Sequence, residues 1–140
     1  MAAMSRDLIE AGLAWRYTPR RMMRMISGPE VAAVVADDAA RISGFAVMQF
    51  GDETGHLVLL CVARPLQRQG IATALLDWLL ASARVAGLER IGVEMRADNV
   101  IARNFYRMRG FSELDRIADY YASGIDAQRM SLQLRPPQIP

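Results

Sequence analysis

The chain contains no lysine: all 17 of its basic residues are arginine. With no ε-amine available, a Schiff-base or lysine-nucleophile mechanism is excluded. A single cysteine, Cys61, cannot close an internal disulfide and fits a reducing cytoplasm. There is also one histidine, His56, so His and Cys together supply too few ligands to argue for a metal site. No apolar run approaches the ~18–20 residues of a membrane span. The opening MAAMSRDLIE lacks the apolar core of a secretory signal. These absences point to a cytoplasmic protein with no membrane partner. A net charge of +2 is too small to argue for a nucleic-acid partner.

What is present is the composition of a globular domain: 52% hydrophobic and 23% charged residues over 140 positions, enough for one domain with a sizeable core. Ser5 is placed to cap a helix over 6–13. Thr18-Pro19 opens a second over 20–26, stopped by Ser27-Gly28-Pro29. On that second helix Arg20, Arg21 and Arg24 read as a solvated basic face or as an anion site. Strands are expected over 31–36, 42–50 and 56–62, turned at Asp37-Asp38 and at 51–55 into an antiparallel meander. A long apolar helix over 71–86 ends at Gly87. Residues 89–96 form a strand in which Ile91, Val93 and Met95 point one way and Gly92, Glu94 and Arg96 the other. Asp98 or Asn99 caps a helix over 100–109, closed by Gly110. Strands over 111–115, 117–121 and 128–134 complete the sheet, and 135–140 form a proline-rich tail. The expected fold is a single α/β (α+β) domain, a mixed, mostly antiparallel sheet with helices on both faces.

The stretch around which this order is arranged runs from strand 56–62 to helix 71–86. Between them lies Gln67-Arg68-Gln69-Gly70-Ile71-Ala72. The first amides of a helix have no partner inside it, and the helix dipole adds partial positive charge there. Such a corner binds phosphate readily. By itself it is equally an ordinary turn into a helix.

A second pattern decides the context. Val93-Glu94-Met95-Arg96-Ala97-Asp98-Asn99 is followed at fixed spacing by Ala102, Phe105-Tyr106 and Gly110-Phe111. Together with the [QR]-x-x-G-x-[GA] pattern of residues 67–72, this resembles the GNAT superfamily of N-acetyltransferases. Glu94 to Asn99 with Tyr106, and Tyr120-Tyr121 near the end, resemble its ribosomal-protein-alanine N-acetyltransferase subgroup. The similarity covers about residues 42–134. The family usually opens with a strand before its first helix, whereas only a few residues precede Arg6 here. That departure touches the acceptor side, residues 1–29, more than the cofactor-binding core, residues 31–134.

The resemblance implies acetyl-coenzyme A as co-substrate, with its pyrophosphate on the loop of Gln67, Arg68, Gln69, Gly70, Ile71, Ala72 and Thr73. It implies that the amide of Val62, beside Cys61, polarises the thioester carbonyl. Tyr106 is the expected general acid, a phenol near pKa 10 facing a thiol near 8.5; the alternative is a tyrosine that only packs. Glu94 is the expected general base, or else a solvated charge opposite Arg96. Asn99 either holds the pantetheine arm or caps its helix. Cys61 reads as a small buried hydrophobe rather than a nucleophile. The implied reaction is direct attack by a primary amine, most specifically a protein N-terminal amine. A small-molecule amine acceptor and a non-catalytic acetyl-coenzyme A-binding module are the rivals, and a homodimer is left open. Glu94 and Tyr106 together argue against the silent module.

Overall fold

A computed structural model describes residues 1, 18–38, 41–121 and 124–135. The helix expected over 6–13 and the last five residues of the tail lie outside the described residues. The elements are α1 (Pro19–Ile26), β1 (Val31–Asp38), β2 (Arg41–Phe50), β3 (Thr54–Val62), a 3-10 turn (Arg64–Leu66), α2 (Ile71–Val85), β4 (Arg90–Arg96), α3 (Val100–Met108), β5 (Ser112–Tyr121) and β6 (Ile125–Gln133). The six strands form one sheet in the order β1-β2-β3-β4-β6-β5. Every neighbouring pair is antiparallel except β3 with β4. Parallel neighbours need a crossover connection, and α2 supplies it. Among the described residues no helix is long and apolar enough to cross a membrane.

Both faces of the sheet are covered. On one, Leu76, Leu79, Leu80 and Ala83 recur at helical spacing on α2 and pack with Ala46, Met48, Leu57, Ile91 and Val93, joined by Tyr106 of α3. On the other, Met22 of α1 packs on Phe45, Val47, Leu59 and Cys61. Residues 43–48 of β2 are therefore buried without a break, as a strand covered twice must be. Pro19 sits in the first turn of α1, where its missing N–H costs nothing, and Thr18 Oγ1 accepts from the Arg21 amide at 3.5 Å. Arg20, Arg21 and Arg24 are exposed, which both readings of this basic face allow.

The two core clusters reveal an irregularity inside β3. Leu57 belongs to the α2 side, yet Leu59 and Cys61 belong to the α1 side and Val62 to the α2 side again. Strict alternation would keep 57, 59 and 61 together. The pairing explains the change: Val47 faces Leu59 and Met48 faces Leu57, leaving Val58 as an extra residue. This is a β-bulge, and it reverses the facing of everything after it. The parallel ladder to β4 ends at the same place, its last pair being Leu57 with Val93. From there β3 and β4 have no register partners in common.

Most boundaries expected from sequence are shifted by one or two residues. Three differences go further. Residues 37–38 continue β1 rather than turning, and Thr54 and Gly55 are already strand. Residues 111–115 and 117–121 form one strand, β5, made irregular by register shifts after Glu113 and after Ile117. Asp119 there has a φ of 52°, which absorbs the second. The last strand starts earlier, at Ile125.

Leu76 is fully buried on α2 whereas Val85, on the same helix, is 90% exposed. Leu76→Ala should therefore lower the unfolding free energy by roughly 2–5 kcal/mol. Val85→Ala should stay within about 0.5 kcal/mol. Urea titration of the two variants checks both values.

Candidate active site

The end of the β3–β4 ladder opens a cleft of about 490 Å³ on the α2–α3 side of the sheet. Its wall on one side is the end of β3 and the loop into α2: Cys61, Val62, Gln67, Arg68, Gly70, Ile71, Ala72 and Thr73. Its other wall is α3, through Asn99, Ile101, Ala102, Phe105 and Tyr106. Of the positions expected to bind a cofactor, Gln69 alone is absent from this lining.

The loop leaves its backbone open at Gly70. Gly70 is the N-cap of α2 with φ 83°, and a Cβ there would meet nothing within 4 Å; it would project into open space. Arg68 also takes a left-handed φ of 65°, a conformation that costs a non-glycine residue roughly 1–2 kcal/mol. Such strain gathers at ligand-binding corners. No side chain caps α2, and its first turn holds no acidic residue. The amides that start the helix thus face the cleft with their partial positive charge uncompensated.

Gln67 does something the sequence did not signal. Its Nε2 donates to the Val62 carbonyl at 3.0 Å, fastening the loop to the strand end. The same residue's N–H direction follows from its neighbour. The Ala63 amide donates across to Ser43 O of β2 at 2.8 Å. Successive N–H groups of an extended strand point to opposite sides, so the Val62 amide points away from β2, into the gap left by β4. The backbone donor expected there has no ladder partner in β4.

Cys61 borders the cleft by its backbone but turns its side chain to the α1 face. It is 5% exposed, and burial pushes its thiol up to about 12. A thiol held protonated in this way is a poor nucleophile, in accord with its reading as a small buried hydrophobe.

Asn99 caps α3, its Oδ1 accepting from the Ala102 amide at 3.1 Å. It also lines the cleft, so neither reading of this residue displaces the other. Arg103 and Arg107 of α3 both donate to Glu113 of β5, at 3.0 and 2.8 Å. Those two hydrogen bonds, Arg103 first, hold the Glu113 carboxyl below its ordinary range. They tie α3 to the sheet on either side of Tyr106.

Tyr106 is 6% exposed and stacks edge-on against Phe105 and Phe111, each at 5.2 Å between ring centres. Among the described residues its hydroxyl has no hydrogen-bond partner, yet it is not a fully buried orphan, and the residue lines the cleft. Desolvation pushes the phenol well above its ordinary value. That widens the gap from a thiol, which ordinary values had made small.

Glu94 stands apart from Tyr106. With Gly92 and Arg96 it lies on the outer face of β4, half-buried, in a separate depression on the far side of the sheet. Between the two lie β3 and β4, whose ladder ends at Leu57 and Val93. Ile101, also in the cleft wall, went unremarked in the sequence, and Phe105 entered there only as part of the pattern with Tyr106. It is the structure that singles out Ile101, an apolar residue left 75% exposed on a helix with one covered face. No group of three or more His, Cys, Asp and Glu able to hold a metal occurs among the described residues.

Residues 3–134 match the Acetyltransferase (GNAT) domain family. The chain belongs to that family. It is 30% identical to the N-alpha-acetyltransferase MAK3 of Arabidopsis thaliana over 101 residues, 69% of this chain and 53% of that protein. The chain spans about half the length of the curated relatives it matches. Among solved structures, Ard1 from Thermoplasma volcanium superposes with a TM-score of 0.85 at 23% identity, over 97% of this chain and 90% of that one. The ribosomal-protein-S18-alanine N-acetyltransferase from Escherichia coli gives a TM-score of 0.80 at 25% identity, over 98% and 88%.

Burial of Cys61 yields a direct check. Iodoacetamide at pH 8 should leave the native protein unlabelled for hours and modify one site per chain in urea. Rapid labelling of the native protein would contradict the packing of Cys61 against α1.

Proposed function

We propose that this protein transfers the acetyl group of acetyl-coenzyme A to a primary amine, the terminal amine of a polypeptide. The observation that carries the proposal is one cleft with three features. It has a glycine-cornered helix start for a pyrophosphate, a strand amide at Val62 turned into the gap, and an unpartnered tyrosine hydroxyl at Tyr106. Acetyl-coenzyme A supplies an activated thioester. The chain supplies its binding and its polarisation. Loop amides from Arg68 to Thr73 receive the pyrophosphate, Gly70 permitting close approach and Arg68 adding charge. The space between Asn99 and Phe105 takes the pantetheine arm. The amide of Val62 holds the carbonyl oxygen where negative charge develops.

Tyr106 keeps its proton for the leaving sulfur. Burial makes the phenol a weaker acid, but any anion forming in the same dry cleft is desolvated as well, which restores part of the match. Glu94 receives the proton of the incoming amine from the other side of the gap. The placement of Glu94 and Tyr106 on opposite sides supports direct attack: acceptor and coenzyme enter from different faces and meet where β3 and β4 separate. The polypeptide acceptor is supported by the relatives named for N-alpha and ribosomal-protein-alanine acetylation. The single buried thiol, unable to form an internal disulfide, supports a cytoplasmic setting.

Tyr106→Phe should lower turnover by about 10²-fold or more while leaving coenzyme A affinity nearly unchanged. Calorimetry with coenzyme A and single-turnover assays separate the two quantities, and an unaltered rate would remove Tyr106 from the mechanism. The pH dependence has a definite sign. A group whose folded pKa is raised stays protonated below its ordinary value, so Tyr106 should impose no alkaline loss of kcat/KM until above about pH 10. An alkaline limb below that pH in the wild type that disappears in Tyr106→Phe would overturn this assignment.

A further inference from the structure

The face of the sheet opposite the cleft carries a second depression, of about 290 Å³. Its floor is set by two small residues paired across β4 and β6, Gly92 and Ser131. A Cβ at Gly92 would meet nothing nearer than His56 Nδ1 at 3.9 Å, so the space above it is open. Arg90, Glu94 and Arg129 stand around it. Arg129 is committed to Asp115 at 2.8 Å. Arg90, His56 and Glu94 make no side-chain hydrogen bond or ion pair among the described residues. Arg90 and Glu94 thus flank an open trough without a side-chain partner among the described residues.

Charge is laid out along β4 in order. Glu94 lies nearest the gap, Gly92 two residues back, and Arg90 four residues back. At 3.3 Å per residue the two charges are about 13 Å apart, the span of four residues of extended chain. We propose that this trough holds the acceptor polypeptide in extended form, its terminal amine at Glu94 and an acidic side chain among its first four residues at Arg90. The inference rests on the polypeptide-acceptor reading above and deepens it by naming the acceptor's chemistry.

The direction of the chain follows from the charges. With the ammonium at Glu94 and a carboxylate at Arg90, both ends meet opposite charge. The reverse placement sets like charges together at both ends. A basic side chain placed at Arg90 faces repulsion that an acidic one does not. Gly92 and Ser131 give the bound chain room to lie close to the strand.

Three peptides that begin with the same residue and carry Glu, Gln or Lys at the fourth position test this, at low salt, with the full chain and acetyl-coenzyme A. In the wild type kcat/KM should fall from Glu to Gln to Lys by about threefold at each step, the range of partly exposed ion pairs. Arg90→Glu should reverse the order and leave the KM for acetyl-coenzyme A unchanged. Gly92→Leu, which fills the trough, should raise the KM of all three peptides. Equal use of the three peptides by the wild type, or an order that Arg90→Glu does not alter, would overturn the trough assignment and leave the polypeptide-acceptor reading intact. If coenzyme A binds but no peptide is acetylated, the polypeptide-acceptor reading fails, and the trough assignment fails with it.

Discussion

One extra residue in a central strand governs the rest of this structure. With Val58 bulged, β3 turns its later side chains to the opposite faces and its hydrogen-bonding edge loses β4. A sheet interior with an unfilled ladder is costly unless something else satisfies the backbone, because a buried amide without a partner forfeits about 1–3 kcal/mol. Here the separated edge lines a cleft, and the Val62 carbonyl is taken by Gln67. The Val62 amide has no ladder partner in β4. The break in pairing thus lies on the border of the cleft.

Everything nearby serves to hold that gap open. Phe45 and Val47 pack on α1 while Ala46 and Met48 pack under α2, so β2 is fixed from both sides and β3 cannot slide to close the ladder. On the far side, Arg103 and Arg107 brace α3 against Glu113. Phe105 and Phe111 hold the ring of Tyr106 in a single orientation. Preorganised donors of this kind act without rearrangement at the moment of reaction, which is the source of their effect.

Much of this was legible in the sequence, and the physical reasons divide cleanly. Gly70 ahead of an apolar helix marks a corner in the left-handed region, whose φ few other residues accept. The alternation of residues 91–96 told which side chains share a face, including Glu94 on the outer one. The bulge was hidden because LVLLCV is apolar at every position, and a pattern with no polar member cannot show where its phase reverses. Gln67 looked like a cofactor residue because its pattern says so, while its bond to Val62 depends on a turn whose geometry spacing does not encode. The continuity of β5 was masked by Arg116, a charged residue in an exposed strand that reads as a break.

The central claim is that coenzyme A completes the separated edge of β3. Backbone amide shifts followed by NMR during titration with coenzyme A test it most directly. The account predicts the largest changes at Val62 and at Gly70 through Thr73, with Met22 and Arg90 on the opposite face hardly moved. Saturable binding whose shifts centre on the outer face of β4, leaving Val62 and Gly70 unchanged, would contradict it.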